Sequence, residues 1–296
     1  MRRPTPPTDP PTPPGPGGSA ASPPSLSPRN PRVVELGRLA RDNRARAEAG
    51  RFVLDGPVLL AEALAAGVVV EAAYVDPDAL DRPEVAAALA AAEAAAVPCW
   101  AVAGGLRGHV EVTTPHGLAA VARIPGAAPA GEGGGPVLHI VLVGVADPGN
   151  AGTLLRTAEA VGATSVVLTD GSVDPWSPKV VRASAGSVLR VPIRRGPAAA
   201  VLAELAAAGV RTVGTRARDG APPDRVDLAG PVALVLGSEA HGLPDEVAAA
   251  VDAWASLPMR GRVESLNVAV AGSVLAFEVV RQRSRTGAGR AATMDP

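Results

Sequence analysis

Cysteine and lysine each occur once, at Cys99 and Lys179, and aromatic residues make up only 2% of the 296 positions. A lone cysteine excludes an internal disulfide framework and a cysteine-based zinc centre. The four histidines, His109, His116, His139 and His241, show no H-x-x-x-H spacing, so no metal site is expected. With few aromatics, the core must be built from Val, Leu and Ala, which the 47% hydrophobic content allows. Excess charge is also lacking. A net charge of −1 excludes a uniformly basic nucleic-acid binder and leaves only local patches to contact phosphate. No apolar run reaches the ~18–20 residues that span a bilayer. The longest, 85–97, is mostly alanine and contains Glu93. Met1-Arg2-Arg3 leads into prolines rather than an apolar run, so no secretory signal is expected and the expected compartment is the cytoplasm.

Arginine, by contrast, supplies 27 of the 28 basic residues, beside 33 Gly and 31 Pro. That profile fits GC-rich coding as well as function, so arginine abundance alone points nowhere. Residues 1–28 hold 11 prolines and read as a disordered tail. Residues 285–296 read as a second flexible tail. The Gly- and Pro-rich stretch 125–136 reads as a linker between units at 29–124 and 137–284.

In the first unit the apolar spacing predicts a helix over 32–48, then strand 51–54, helix 57–66, strand 68–75, helix 83–96 and strands 98–102 and 118–124. That is a small α/β sandwich. Its charge is segregated: residues 29–51 balance to +4 and residues 52–100 to −7. Either this is a solvated amphipathic helix, or an arginine face that meets phosphates.

The second unit alternates more clearly. Strands are expected at 137–145, 164–169, 188–193, 210–215, 232–236 and 253–257. Helices are expected at 150–161, 178–184, 198–208, 244–250 and 266–282. Apolar strands with intervening helices indicate a mostly parallel, doubly covered sheet, whose ligands sit at the carboxyl ends of strands.

Three loops there are unusual. Asp147-Pro148-Gly149-Asn150 opens a helix with Asn150 as a plausible N-cap. Arg156 follows nearly two turns on, placed either to point with Asn150 at the strand ends or to form a surface ion pair. In Leu236-Gly237-Ser238-Glu239-Ala240-His241-Gly242 a strand runs into glycine where backbone can approach a ligand, unless it is a plain strand–turn–helix. The spacing is not G-x-G-x-x-G, which disfavours a nicotinamide cofactor. The third loop, 257–268, carries Arg260 and Arg262. Its Ser265 reads as an N-cap, whereas Asn267 inside the helix is less easily explained.

Together the strings DPGNAGTLLRTAEAVGA, LVLGSEAHGLP and LPMRGRVESLNVAVAGSVLAFE resemble the SpoU (TrmH-type) RNA 2′-O-ribose methyltransferases of the SPOUT superfamily, over about 137–283. The first unit is similar to that family's substrate-binding domain through RNPRVVELGRL, RFVLDGPVLLAEAL and TTPHGLAAVA, with His116 where glutamine is commoner. The resemblance implies an α/β protein: a small N-terminal α/β substrate-binding domain and a C-terminal SPOUT-type α/β domain with a trefoil knot. It implies S-adenosylmethionine as cofactor, held by Leu236, Gly237, Leu257, Met259 and Leu266. Asn150, Arg156, Glu239, Ser265 and Asn267 become the catalytic positions. Arg156 would clamp a phosphate or stabilise a developing alkoxide, Asn150 and Ser265 would orient the nucleotide, Asn267 would support the cofactor loop, and Glu239 would position Arg156 or its loop.

The expected partner is RNA, contacted through Arg29, Arg32, Arg38, Lys179 and Arg182; the stretch 178–195 balances to +5 without an acidic residue. Trp176 is the stacking residue expected to be exposed, and Trp254 is expected in the core. A homodimer, without metal or membrane, follows from the family. Ribosomal RNA of the 23S type is the expected substrate. Transfer RNA, an antibiotic-resistance methylase, a non-catalytic assembly factor and a small-molecule nucleotide enzyme remain as alternatives.

Overall fold

The computed structural model describes residues 22–110, 116–126, 135–238 and 241–287. Glu239, most of the expected linker and the outer parts of both expected tails lie outside them.

Two sheets organise the chain. The first is built from β1 (Ser25–Leu26), β2 (Arg51–Asp55), β3 (Val70–Val75), β4 (Cys99–Val102) and β5 (Leu118–Arg123), in the order β1-β4-β3-β5-β2. Strand β5 runs antiparallel to β2 and β3, and the other pairings are parallel. Helices α1 (Pro31–Arg41), α2 (Asn43–Ala49), α3 (Pro57–Ala65) and α4 (Pro83–Ala94) accompany it. The expected single helix over 32–48 is broken at Asp42, whose extended backbone ends α1 and whose carboxylate accepts from the Arg44 N–H to start α2. Short polar side chains compete in this way for backbone donors inside helices. Residues 22–28 are not a loose tail either, since Ser25 and Leu26 pair with Ala101 and Val102 at the sheet edge.

The second sheet is wholly parallel. It contains β6 (Leu138–Val143), β7 (Ser165–Thr169), β8 (Ile193–Gly196), β9 (Arg211–Thr215), β10 (Val232–Gly237) and β11 (Ala253–Ala255), in the order β11-β9-β10-β6-β7-β8. Helices α5 (Pro148–Ala160), α6 (Pro178–Ala183), α7 (Ala198–Ala207), α8 (Asp245–Ala248) and α9 (Val268–Thr286) connect and cover it. The strand order reverses between β6 and β10, and such a switch opens a crevice at the carboxyl ends. Helix α9 packs on both α5 and β10. A Cβ at Gly272 would stand 2.6 Å from Leu236 Cδ1 and 2.7 Å from Leu154 Cδ2, so glycine lets α9 lie this close without displacing either leucine. That helix continues through 285 and 286, which the sequence assigned to a tail.

The expected strand 188–193 is a 3₁₀ turn at Ser187–Leu189, and pairing with β7 begins only at Ile193. Gly186 at φ +88° turns the chain there and drives Val188 and Leu189 into the core, so their hydrophobicity marks burial rather than pairing.

The two sheets share one apolar core. Trp176, expected to be exposed, is buried with its ring centroid 4.9 Å from that of Phe52 in β2. Around this contact Arg46 Nε meets Asp174 at 2.7 Å with both side chains nearly inaccessible, and Arg182 meets Asp55 at 2.6 Å. Arg190 bridges Glu62 and Glu159 across the same junction. Burial pushes the Asp55 carboxyl above its ordinary range, outweighing the pull of Arg182.

Candidate active site

A cavity of about 590 Å³ opens at the carboxyl ends of β9, β10 and β11, beside the switch in strand order. That volume suits a small organic ligand. Its walls come from four segments. Gly237 ends β10 and Ser238 follows it, Leu257 and Met259 follow β11, Ser265 to Asn267 lead into α9, and Thr215 ends β9 with Arg216 and Ala217 after it.

Local chemistry explains each wall. Ser238 and Gly242 exchange backbone hydrogen bonds of 3.1 and 2.8 Å, folding the loop back over the end of β10. A Cβ on Gly237 would run into the Gly242 carbonyl group, so this approach requires glycine. Asn267 is the N-cap of α9, with Oδ1 accepting from the Ala269 and Val270 N–H groups at 2.9 and 3.2 Å. Its Nδ2 donates to Asn150 Oδ1 at 2.8 Å. One amide therefore starts α9, lines the cavity and ties it to the first turn of α5. Farther along, Thr157 and Ser273 hydroxyls meet at 2.7 Å and repeat the α5–α9 link.

The helix starts differ from those expected. Asp147, not Asn150, caps α5, accepting from the Asn150 N–H at 2.8 Å, because Pro148 takes the first helical position and sets the cap before it. Asn267, not Ser265, caps α9, which accounts for an asparagine that looked out of place inside a helix.

Of the expected catalytic residues, Asn150 and Asn267 are joined directly, and Ser265 and Asn267 line the cavity. Glu239 lies outside the described residues. Arg156 is on α5 but does not share a direction with Asn150. Six residues turn a helix by about 600°, some 120° short of two turns, so Asn150 is buried and Arg156 exposed. The surface ion pair considered for Arg156 does not form: it has no hydrogen-bond or ion-pair partner among the described residues.

Of the expected cofactor residues, Gly237, Leu257, Met259 and Leu266 line the cavity. Leu236 does not; its fully buried side chain lies under Gly272 of α9. Trp254 was expected in the core but is a half-buried wall residue. Thr215, which ends β9, and Arg216, just past it, were missed, although the carboxyl-end rule directs attention there.

The expected RNA contacts are partly committed elsewhere. Arg38 pairs with Glu35 at 2.8 Å, Arg182 with Asp55, and the Arg32 guanidinium sits 5.5 Å from the Trp100 ring centroid. Arg29 and Lys179 are exposed, without a side-chain partner among the described residues. Most of the segregated arginines of 29–51 are thus satisfied within the protein: Arg44 by Glu48, Arg51 by Glu35 and Glu71, and Arg41 by the carbonyls of Gly108 and His109.

Known proteins carry the same architecture. The model of the SpoU rRNA Methylase family matches residues 137–277. The 23S rRNA (guanosine(2553)-2′-O)-methyltransferase RlmP of Bacillus subtilis is 30% identical over 255 residues, which cover 86% of this chain and 97% of that protein. A crystal structure of an RNA 2′-O ribose methyltransferase superposes with a TM-score of 0.73 at 32% identity, covering 88% of this chain and 99% of its own. An AdoMet-bound rRNA methyltransferase from Sinorhizobium meliloti superposes with a TM-score of 0.74 at 29% identity, covering 87% and 97%. Near-complete coverage in sequence and in structure, with the family match over the part that builds the cavity, places the chain in the SpoU rRNA methylase family.

Proposed function

We propose that this protein transfers the methyl group of S-adenosylmethionine to a ribose 2′-hydroxyl of 23S-type ribosomal RNA. The observation that carries this reading is the cavity whose wall residue Asn267 is bonded to Asn150, on the helix that also presents Arg156. The residues present fit the cofactor: Leu257, Met259 and Leu266 offer apolar walls to an adenine, and Gly237 and Ser238 bring backbone at the end of β10 to the cavity wall. When bound, the cofactor supplies an electrophilic methyl group.

The chain's own residues do the rest, and most of that is positioning. Asn267 holds the starts of α5 and α9 together, so the cavity mouth and Asn150 keep one geometry. Asn150 and Ser265 orient the nucleotide. Arg156 acts as a donor rather than as a base, since a guanidinium carries five N–H donors and no acceptor. It grips a phosphate through its fork of N–H donors, or stabilises negative charge on the 2′-oxygen as its proton leaves. The family resemblance assigns Glu239 to positioning Arg156 or the loop.

In this reading residues 29–124 bind the RNA substrate, with Arg29 there and Lys179 in the second unit as exposed basic contacts whose side chains have no partner among the described residues. The C-terminal domain carries the trefoil knot, and the protein works in the cytoplasm. It also works as a homodimer. Val270, Val274 and Phe277 are 46–54% exposed on α9 and, spaced at i, i+4 and i+7, form one apolar stripe. Sedimentation should show a dimer, with Phe277→Arg shifting it to monomer; a monomeric unaltered protein at micromolar concentration would remove the dimer from the proposal.

The activity is tested by nucleoside mass spectrometry of unmodified ribosomal and transfer RNA incubated with protein and S-adenosylmethionine. A new 2′-O-methylnucleoside is expected in ribosomal RNA. Its appearance only in transfer RNA would overturn the substrate class, and no product from either would overturn the reaction.

A further inference from the structure

The cavity contains one charged side chain that the catalytic scheme does not use. Arg216 lies just past the end of β9, and it is the only charged residue among the described residues lining the cavity. It is held from several sides. Its N–H donates to the Ala255 carbonyl at 3.2 Å, and its own carbonyl accepts from the Ser256 hydroxyl at 3.0 Å, so its backbone is fastened to β11. Its guanidinium lies 4.6 Å from the ring centroid of Trp254, another wall residue, and donates through Nη2 to the Asp219 carbonyl.

Trp254 is itself fixed. A Cβ on Gly214 would stand 3.0 Å from Cζ3 of the ring and 3.1 Å from Cε3, so the indole packs against β9 where glycine makes room. The indole is thus held against the strand while the guanidinium lies over its ring. Arg216 makes no salt bridge among the described residues, and a guanidinium has five N–H donors. What results is a preorganised cation with spare donors in a cavity wall whose described residues supply no counter-charge.

We propose that Arg216 binds the carboxylate of the cofactor's amino-acid tail. This rests on the cofactor assignment above and adds the residue that recognises its one anionic group. The sign of the charge sets the ligand's direction. A guanidinium attracts the carboxylate and repels the sulfonium, so the reactive end points away from β9. Asn267 and Asn150 stand on that far side: β10 separates β9 from β6, the strand that leads into Asn150. Two strand spacings are about 10 Å. A cation at Arg216 therefore orients the ligand with its reactive end toward α5 without approaching the reacting atoms. Arginine abundance does not explain this position, because nearby arginines lack the aromatic backing that aims the group.

The test is calorimetric binding of two ligands. S-adenosylhomocysteine carries the amino-acid tail, whereas 5′-methylthioadenosine keeps the adenosine and the thioether but lacks it. Arg216→Ala should weaken S-adenosylhomocysteine about tenfold to a hundredfold, the range for loss of a charge-assisted hydrogen bond. It should leave 5′-methylthioadenosine unchanged, and Arg216→Lys should fall between. Equal weakening of both ligands would place Arg216 at the adenosine or in general support of the wall, and would overturn the proposal. So would unchanged binding of both. Filter binding of cofactor-free protein to ribosomal RNA is the second arm. Lost RNA affinity with unchanged S-adenosylhomocysteine affinity would make the guanidinium a phosphate contact and defeat the assignment. Failure of the unaltered protein to bind either small ligand would refute the cofactor site itself.

Discussion

Replacing Arg156 with alanine should lower single-turnover methylation about 10²–10³-fold, the range seen when one donor to a developing negative charge is removed. Affinity for S-adenosylhomocysteine should not change. The rate loss follows from the role proposed for Arg156, and the unchanged affinity from its placement: it is exposed on α5, has no partner among the described residues and does not line the cavity. An arginine serving structure would show an ion pair or a packed stem, and its loss would appear in stability. Arg156→Lys separates the two chemical roles. Lysine keeps the charge but lacks the bidentate fork, so a phosphate clamp would show mainly as weaker RNA binding. Charge stabilisation at the 2′-oxygen would show as a lower rate at saturating RNA. Near-normal turnover by the alanine variant would remove Arg156 from the site, as would a loss of cofactor affinity equal to the loss of rate.

Asp174→Ala should cost the protein about 3–5 kcal/mol, the usual range when one partner of a buried ion pair is removed. Arg46 and Asp174 are 5% and 9% exposed, and the guanidinium's other acceptors are the carbonyls of Leu39 and Ala40. The carboxylate also accepts from the Trp176 N–H at 3.1 Å, holding the loop whose indole packs on Phe52. The deletion thus leaves a buried cation without its counter-ion at the junction of the two sheets. At roughly 2–4 °C per kcal/mol for chains of this size, the melting temperature should fall by about 6–20 °C. The double variant Arg46→Met, Asp174→Leu should recover most of that loss, since apolar replacement of a buried pair is often neutral. A fall below about 1 kcal/mol for Asp174→Ala would mean that water reaches the pair. Calorimetry on the three proteins decides it.

The three loops were legible because their residues are unusual for their positions. Gly237 leaves a strand where a side chain would collide with Gly242, and Asn267 sits where a helix start needs a cap. Such locally determined features can be read one residue at a time. The caps themselves were misread by two or three residues, because Asn150 and Ser265 are also good N-caps. The choice of Asp147 and Asn267 depended on Pro148 and on the Asn150–Asn267 bond, between residues 117 positions apart. The strand expected at 188–193 failed for a related reason: Val and Leu next to a left-handed glycine are apolar whether they pair or simply bury.

By itself the sequence determined the alternation of strands and helices, the parallel second sheet and the family, because periodicity and loop chemistry are local and survive without knowledge of what they pack against. Only the tertiary structure decided which side chains meet. It moved Trp176 from an exposed platform into the junction core, and it spent Arg38 and Arg182 on Glu35 and Asp55. It separated the directions of Asn150 and Arg156, took Leu236 out of the cavity and brought Arg216 and Trp254 into it. The physical reason is the same in each case. A charge or an aromatic ring is satisfied by whatever partner folding brings within a few ångströms, and those partners come from strands and helices that sequence spacing does not place side by side.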